Sequence, residues 1–144
     1  MTEAIIGKQF PGTVIPLIEN AKNTIKIVVF DWRWYPNDPA NPVQLFNQAI
    51  IRSVRRGVKV QAIGNCSDVM AILKQQGCDI VKPTTKNLVH AKMMIIDDDW
   101  LILGSHNYSK SAFSRNQEAS IAVHGREEIK RYREYFNNLW NQYF

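Results

Sequence analysis

A chain of 144 residues, 45% hydrophobic and 22% charged, can bury one sizeable core and is neither disordered nor low in complexity, so residues 1–144 are expected to form one globular unit. Its net charge of +5 ranks polyanions above acidic proteins as partners. No apolar run approaches the roughly 18 residues of a membrane span, and the opening MTEAIIGKQF lacks the order of a secretory signal. A cytoplasmic protein with no stable membrane association is the expectation. Cys66 and Cys78 are too few for a disulfide framework or a zinc site and read as free thiols.

In chain order, PGTVIPLIENAKN spaces Val14, Leu17, Ile18 and Ala21 as a helix and leads into the β-branched strand TIKIVVF. WRWYPNDPANP, with three prolines, predicts a long loop at the end of that strand. From Val43 to Arg56, the residues Phe46, Ala49, Ile50 and Val54 share one helical face, and Gly57 stops the helix before the strand VKVQAIG. Ser67 is the expected N-cap of DVMAILKQQ, Gly77 its stop, and CDIV a short strand. KMMIID and WLILG read as strands joined through Asp98 and Asp99, and EASIAV as another. The final segment, 126–144, carries the stripe Ile129, Tyr132, Phe136, Leu139, Trp140 and Tyr143, expected to be core packing. Helices interleaved with strands and followed by a strand trio predict an α/β fold with a mixed, mostly central β-sheet flanked by helices on both faces. Polar residues at the strand ends then gather at one edge of the sheet, where open α/β folds place their sites.

In HAKMMIID, period-two geometry turns His90 and Lys92 to the same side. An ammonium beside an imidazole repels a metal but suits an anion: Lys92 can neutralise phosphate oxygens while His90 attacks or transfers a proton. The GSHN turn adds Ser105 and Asn107, neutral donors for charge on non-bridging oxygens, and NQE supplies Glu118, a carboxylate able to hold a histidine Nδ1 proton. Asp97, Asp98 and Asp99 alternate faces and cannot converge on one ion without a bend, so no metal site is assigned. Asp98 and Asp99 read as turn residues and Asp97 as an anchor for nearby backbone or a basic group.

His90, Lys92 and Asp97 stand as HxKxxxxD, followed by Gly104, Ser105 and Asn107 as GSxN. This pattern resembles the HKD motif of the phospholipase D superfamily, and a single copy in a short chain most resembles the small bacterial phospholipase D-like endonucleases. The resemblance implies a metal-independent and cofactor-free double displacement on a phosphodiester, through a phosphohistidine. That chemistry needs two facing histidines. The chain has two others, His106 in the variable position of GSxN and His124 at a strand end, and neither matches a second motif. The resemblance therefore implies a symmetric homodimer with one shared site, His90 acting as nucleophile in one protomer and as general acid/base in its twin. Lys92 and Asn107 would bind phosphate oxygens, Ser105 and Glu118 would support them, and Asp97 and Gly104 would be structural.

Around that motif, Trp32, Trp34 and Tyr35 read either as base-stacking aromatics or as interface or core residues. Arg52, Arg55 and Arg56 read as a solvated helix flank, whereas Lys82 and Lys86, just before the motif, are better placed to guide a phosphate backbone. Basic charge without a base-reading element favours a nonspecific nuclease acting on DNA or RNA. The alternatives are a phospholipid phosphodiesterase or transphosphatidylase and a nonhydrolytic nucleic-acid-binding module.

Overall fold

The strands form where β-branched and aliphatic residues are continuous: β1 (Thr2–Ile6), β2 (Thr24–Val29), β3 (Lys59–Gly64), β4 (Asp79–Val81), β5 (Met93–Ile96), β6 (Trp100–Gly104) and β7 (Ala119–His124). In the computed structural model, which describes residues 1–84 and 87–144, they build one sheet in the order β1-β7-β6-β5-β2-β3-β4. β2, β3 and β4 are parallel, and every other pairing is antiparallel. The α/β mixed sheet is as expected.

Helices α1 (Phe10–Glu19), α2 (Pro42–Arg55), α3 (Ser67–Gln75) and α4 (Lys110–Ser114) contribute Phe10, Phe46, Ile50, Leu73 and Phe113 to one buried cluster, with Ile25, Ile27 and Val29 of β2 on the same side. Helix α5 (Lys130–Tyr143) sends Phe136 and Trp140 to the opposite cluster, with Val28, Met93 and Ile95. The alternation along β2 thus feeds both layers. Helix α2 starts as its sequence dictates: the Asn41 side chain accepts from Val43 N at 2.9 Å, Pro42 occupies the first turn, and Gly57 at φ 95° ends the helix.

Three details depart from the sequence patterns. The N-cap of α3 is Cys66, and Ser67 is already inside the helix. Helix α5 begins at Lys130, after a turn over 126–129. β1, the following 3-10 turn Gly7–Gln9 and α4 are additions that no periodicity announced. β1 buries only Ile5, and α4 is a five-residue turn capped by Ser109, so neither is long or amphipathic enough to leave a pattern.

The registers decide where the chemistry gathers. Val28 pairs with Met93, Met93 with Leu103, and Gly104 with Ser120. The end of β2, the start of β5, the end of β6 and the start of β7 therefore lie side by side at one end of the sheet. Residues 30–32, 90–92, 105–107 and Glu118 project from that end. The other end carries the turn 97–99 and His124.

Candidate active site

His90 and Lys92 lie in an extended arm just before β5, with Gly104 N bonded to the Lys92 carbonyl at 3.3 Å. The Lys92 ammonium sits 3.1 Å from His90 Nδ1 and 3.3 Å from Nε2, so the two side chains share one face as the alternation requires. Both pack on Phe30: the His90 ring centroid lies 4.8 Å from the Phe30 centroid, and Lys92 Nζ is 5.8 Å from it. Partial burial pushes the Lys92 pKa down, opposed by the Glu118 carboxylate.

Gly104 ends β6 against Ser120. A Cβ at Gly104 would stand 2.2 Å from Ser120 Oγ and 2.4 Å from its Cα, so any side chain would push the two strands apart. Beyond it, the Ser105 hydroxyl donates to Glu118 Oε1 at 2.6 Å and accepts from Ala119 N at 3.0 Å. Glu118 Oε2 accepts from Asn116 at 3.1 Å. Within the protomer, then, the carboxylate expected to hold His90 Nδ1 instead orients Ser105 and Asn116. Asn107 Oδ1 accepts from Asp31 N at 3.0 Å, which fixes the amide and turns its NH2 group into the role of donor. Asp31 is itself clamped, its carbonyl accepting from Tyr108 N at 3.0 Å.

The two other histidines are built into the scaffold. His106 is 1% exposed, stacked on Phe10 with centroids 4.4 Å apart, and its Nε2 lies 2.9 Å from the Gly7 carbonyl. A carbonyl only accepts, so Nε2 carries the proton and Nδ1 accepts from the Ser120 hydroxyl at 2.6 Å. Burial pushes the His106 pKa down. His124, at the far end of the sheet, stacks on Trp100 and faces Asp99 at 3.5 Å.

Asp97 lies at that far end too. Its carboxylate accepts from Lys22 N at 3.0 Å, Asn23 N at 2.7 Å and Thr24 N at 3.1 Å, tying the β5–β6 turn to the chain entering β2. Asp98 pairs with Lys26 at 2.9 Å. The three aspartates thus serve three separate partners, and among the described residues no group of three His, Cys, Asp or Glu side chains could hold a metal ion.

Of the aromatics, Trp32 is 1% exposed and donates through its indole to Asn47 at 2.7 Å. It is a packing residue, because a base cannot reach a buried ring. Trp34 and Tyr35 are half-buried, and Tyr35 Oη accepts from Lys110 N at 3.0 Å. Lys82 is exposed, and Lys86 falls outside the described residues. Arg52 pairs with Glu19, and Arg56 donates to the carbonyls of Ile18 and Ala21, so part of the basic flank of α2 ties that helix to the end of α1. Sequence reasoning missed Phe30, Asp31 and Asn116; only the register of β2 beside β5 brings the first two to the site.

Residues 14–140 match the family model described as cardiolipin synthase, PLD-like domain. The chain belongs to this phospholipase D-like family. A phospholipase D of Rickettsia prowazekii is 32% identical over 94 residues, covering 61% of this chain and 46% of that protein. The human mitochondrial cardiolipin hydrolase is 29% identical over 108 residues, covering 70% of this chain and 40% of that one. The chain spans less than half the length of these curated relatives. Among solved structures, the phospholipase D family member Nuc from Salmonella typhimurium superposes with a TM-score of 0.82 over 100% of this chain and 97% of its own, at 18% identity. The arrangement of His90, Lys92, Ser105 and Asn107 at one sheet end thus sits within a phospholipase D-like fold. Among the described residues, no helix is long and apolar enough to cross a membrane.

Proposed function

We propose that the chain is a metal-independent phosphodiesterase, acting as a nonspecific endonuclease on DNA or RNA at a site shared by two copies. The observation that supports it most is the His90–Lys92 pair, an imidazole with an ammonium 3.1 Å from its ring, beside the fixed amide donor of Asn107 and the Ser105 hydroxyl held by Glu118. Lys92 and Asn107 hold the non-bridging oxygens, where charge grows in the transition state. His90 of one protomer attacks phosphorus and forms the P–N bond. As the P–O bond to the leaving alcohol breaks, the partner's His90 gives that oxygen its proton. The same partner imidazole then removes a proton from water, whose oxygen displaces the phosphoryl group from the first His90.

The second histidine comes from a second copy because His106 is bonded through both ring nitrogens and His124 lies at the opposite end of the sheet. A two-fold axis beside His90 supplies the missing imidazole without a second motif. The decisive experiment offers single- and double-stranded DNA, RNA and phosphatidylcholine vesicles to the purified protein in excess EDTA, with its mass followed by light scattering. Cleavage of nucleic acid by a dimer is expected. Loss of activity in EDTA that a divalent ion restores, or full activity in a monomer, would overturn the mechanism.

A lipid diesterase is the second reading. The names of the curated relatives favour it, as does a mainly apolar groove of about 440 Å³ beside the site, walled by Ala91, Met93, Leu103, Tyr132 and Tyr135 together with Arg131. Vesicle turnover without nucleic-acid cleavage would establish it.

A further inference from the structure

We propose that the cleft between the 31–35 loop and α4 is a track for the nucleic-acid backbone next to the scissile phosphate, with Arg33 and Arg115 holding a neighbouring phosphate. The inference rests on the phosphodiesterase reading above and narrows its substrate to a polynucleotide.

Four observations carry it. The cleft encloses about 390 Å³ and is walled by Asn107, which the proposed mechanism places on the scissile phosphate. Asn107 and Asp31, joined at 3.0 Å, form its inner wall, and Asp31 follows Phe30, the ring against which His90 and Lys92 pack. A chain whose scissile phosphate is held by Lys92 and Asn107 would meet this cleft at Asn107, the residue common to both.

Charge is the second observation. Among the described residues of the wall, Arg33, Lys110 and Arg115 set three positive charges against the single carboxylate of Asp31. The wall therefore carries a net positive charge at a place where a backbone would pass. The third is orientation. Arg33 Nε is held by Asp31 at 2.9 Å, and Arg115 is steadied by a 3.2 Å bond from one terminal nitrogen to Ser111 Oγ; both side chains are exposed. A guanidinium anchored at one nitrogen presents the others to a phosphate with less entropy to lose. Lys110 is committed differently, paired with Asp38 at 3.1 Å and lying 4.6 Å from the Tyr35 ring centroid.

The fourth observation is the character of the walls. Ser109, Ser111 and Asn116 line the cleft with hydroxyl and amide groups, and beside them, among the described residues, only Tyr35 and Ala112 add apolar surface, a mixture that suits a sugar-phosphate chain better than acyl chains. The apolar groove walled by Met93 and Tyr132 is a separate cavity.

The test uses binding, so that it stands apart from catalysis. In a His90→Ala background, anisotropy of a fluorescein-labelled single-stranded 12-mer in EDTA is followed across a salt series. Adding R33A and R115A together is expected to weaken binding about tenfold at low salt and to lower the salt slope by about 0.7 per arginine. R33K with R115K should keep most of the affinity, which separates charge loss from misfolding. R126A, which removes an exposed charge just beyond β7 at the far end of the sheet, should leave binding unchanged. Unchanged binding in the R33A/R115A variant, an equal loss in R126A, or capture of phosphatidylglycerol vesicles but not the oligonucleotide would each overturn the track. A wild-type protein that binds the oligonucleotide through these arginines yet cleaves no diester would instead overturn the proposed chemistry and leave the track standing.

Discussion

The two ends of β5 put the same few motif residues to opposite uses. At its start, His90 and Lys92 are held near each other on the exposed face of Phe30, with only a partial shell of protein around them. At its finish, Asp97 spends its carboxylate on three backbone N–H groups of Lys22, Asn23 and Thr24, and Asp98 spends its own on Lys26. Spacing alone makes the histidine, lysine and aspartate look like one constellation. A strand of four residues, Met93–Ile96, keeps them apart, so the chemistry gathers at one end and the architecture at the other.

The comparison can be broken most forcefully at His90. His90→Ala should lower turnover by more than about 10³-fold, with the denaturation midpoint little changed, because the proposed nucleophile is exposed and its packing is confined to one face of Phe30. Residual activity near wild type in a single-turnover assay would return the nucleophile to another group. Lys92→Ala should cost about 10²-fold, the range for loss of one charged donor to a developing oxyanion. Burial lowers the Lys92 pKa from 10.5, so the alkaline limb of kcat/KM should fall below that value, as deprotonation removes the charge that holds the phosphate. A limb above 10.5 would dissociate Lys92 from it.

Asp97→Ala tests the other end. Three backbone donors lose a charged acceptor, and unfolding in urea should show a loss of about 1–3 kcal/mol, while activity per folded molecule stays within about threefold. A larger loss of activity than of stability would make Asp97 part of the chemistry. Asp97 also takes φ 55° and Asp98 φ 57°, a turn conformation that aspartate tolerates better than alanine, which adds to the expected cost.

The smallest effect sharpens the contrast between His90 and His106. The folded pKa of His106 is depressed below 6.5 by burial, so between the two values the unfolded chain binds the proton that the native one refuses. Its contribution to stability is therefore complete above about pH 6.5 and declines as pH falls toward the folded value. His106→Gln should flatten that acid decline in urea titrations at pH 7.5 and 5, and an unchanged slope would assign the acid sensitivity to other groups.

Much of the site was legible before any coordinates. Period-two spacing puts His90 and Lys92 on one side, the GSHN turn supplies Ser105 and Asn107, and the structure brings all four to one sheet end. Asp97 was expected to anchor backbone, and it does. Glu118 was placed at the site, but its partner was not legible. Its approach to Ser105 depends on the β6–β7 register pairing Gly104 with Ser120, which no local pattern encodes. Trp32 illustrates the same limit. A tryptophan in a proline-rich loop reads equally as a stacking platform or a core residue, and only a bridge to Tyr108 and a bond to Asn47 draw it into the core.

The sequence by itself determined the strands from β2 to β7, the longer helices and the reactive group types, because hydrophobic period and side-chain chemistry are local properties written residue by residue. Only the tertiary structure decided which polar residues meet. The antiparallel placement of β5 between β2 and β6 joined Phe30, Asp31, His90 and Asn107 from segments up to 77 positions apart and sent the aspartates to the far end. Pairing between distant strands depends on register and burial over the whole sheet, and that is why the motif could be read in one dimension but its division of labour could not.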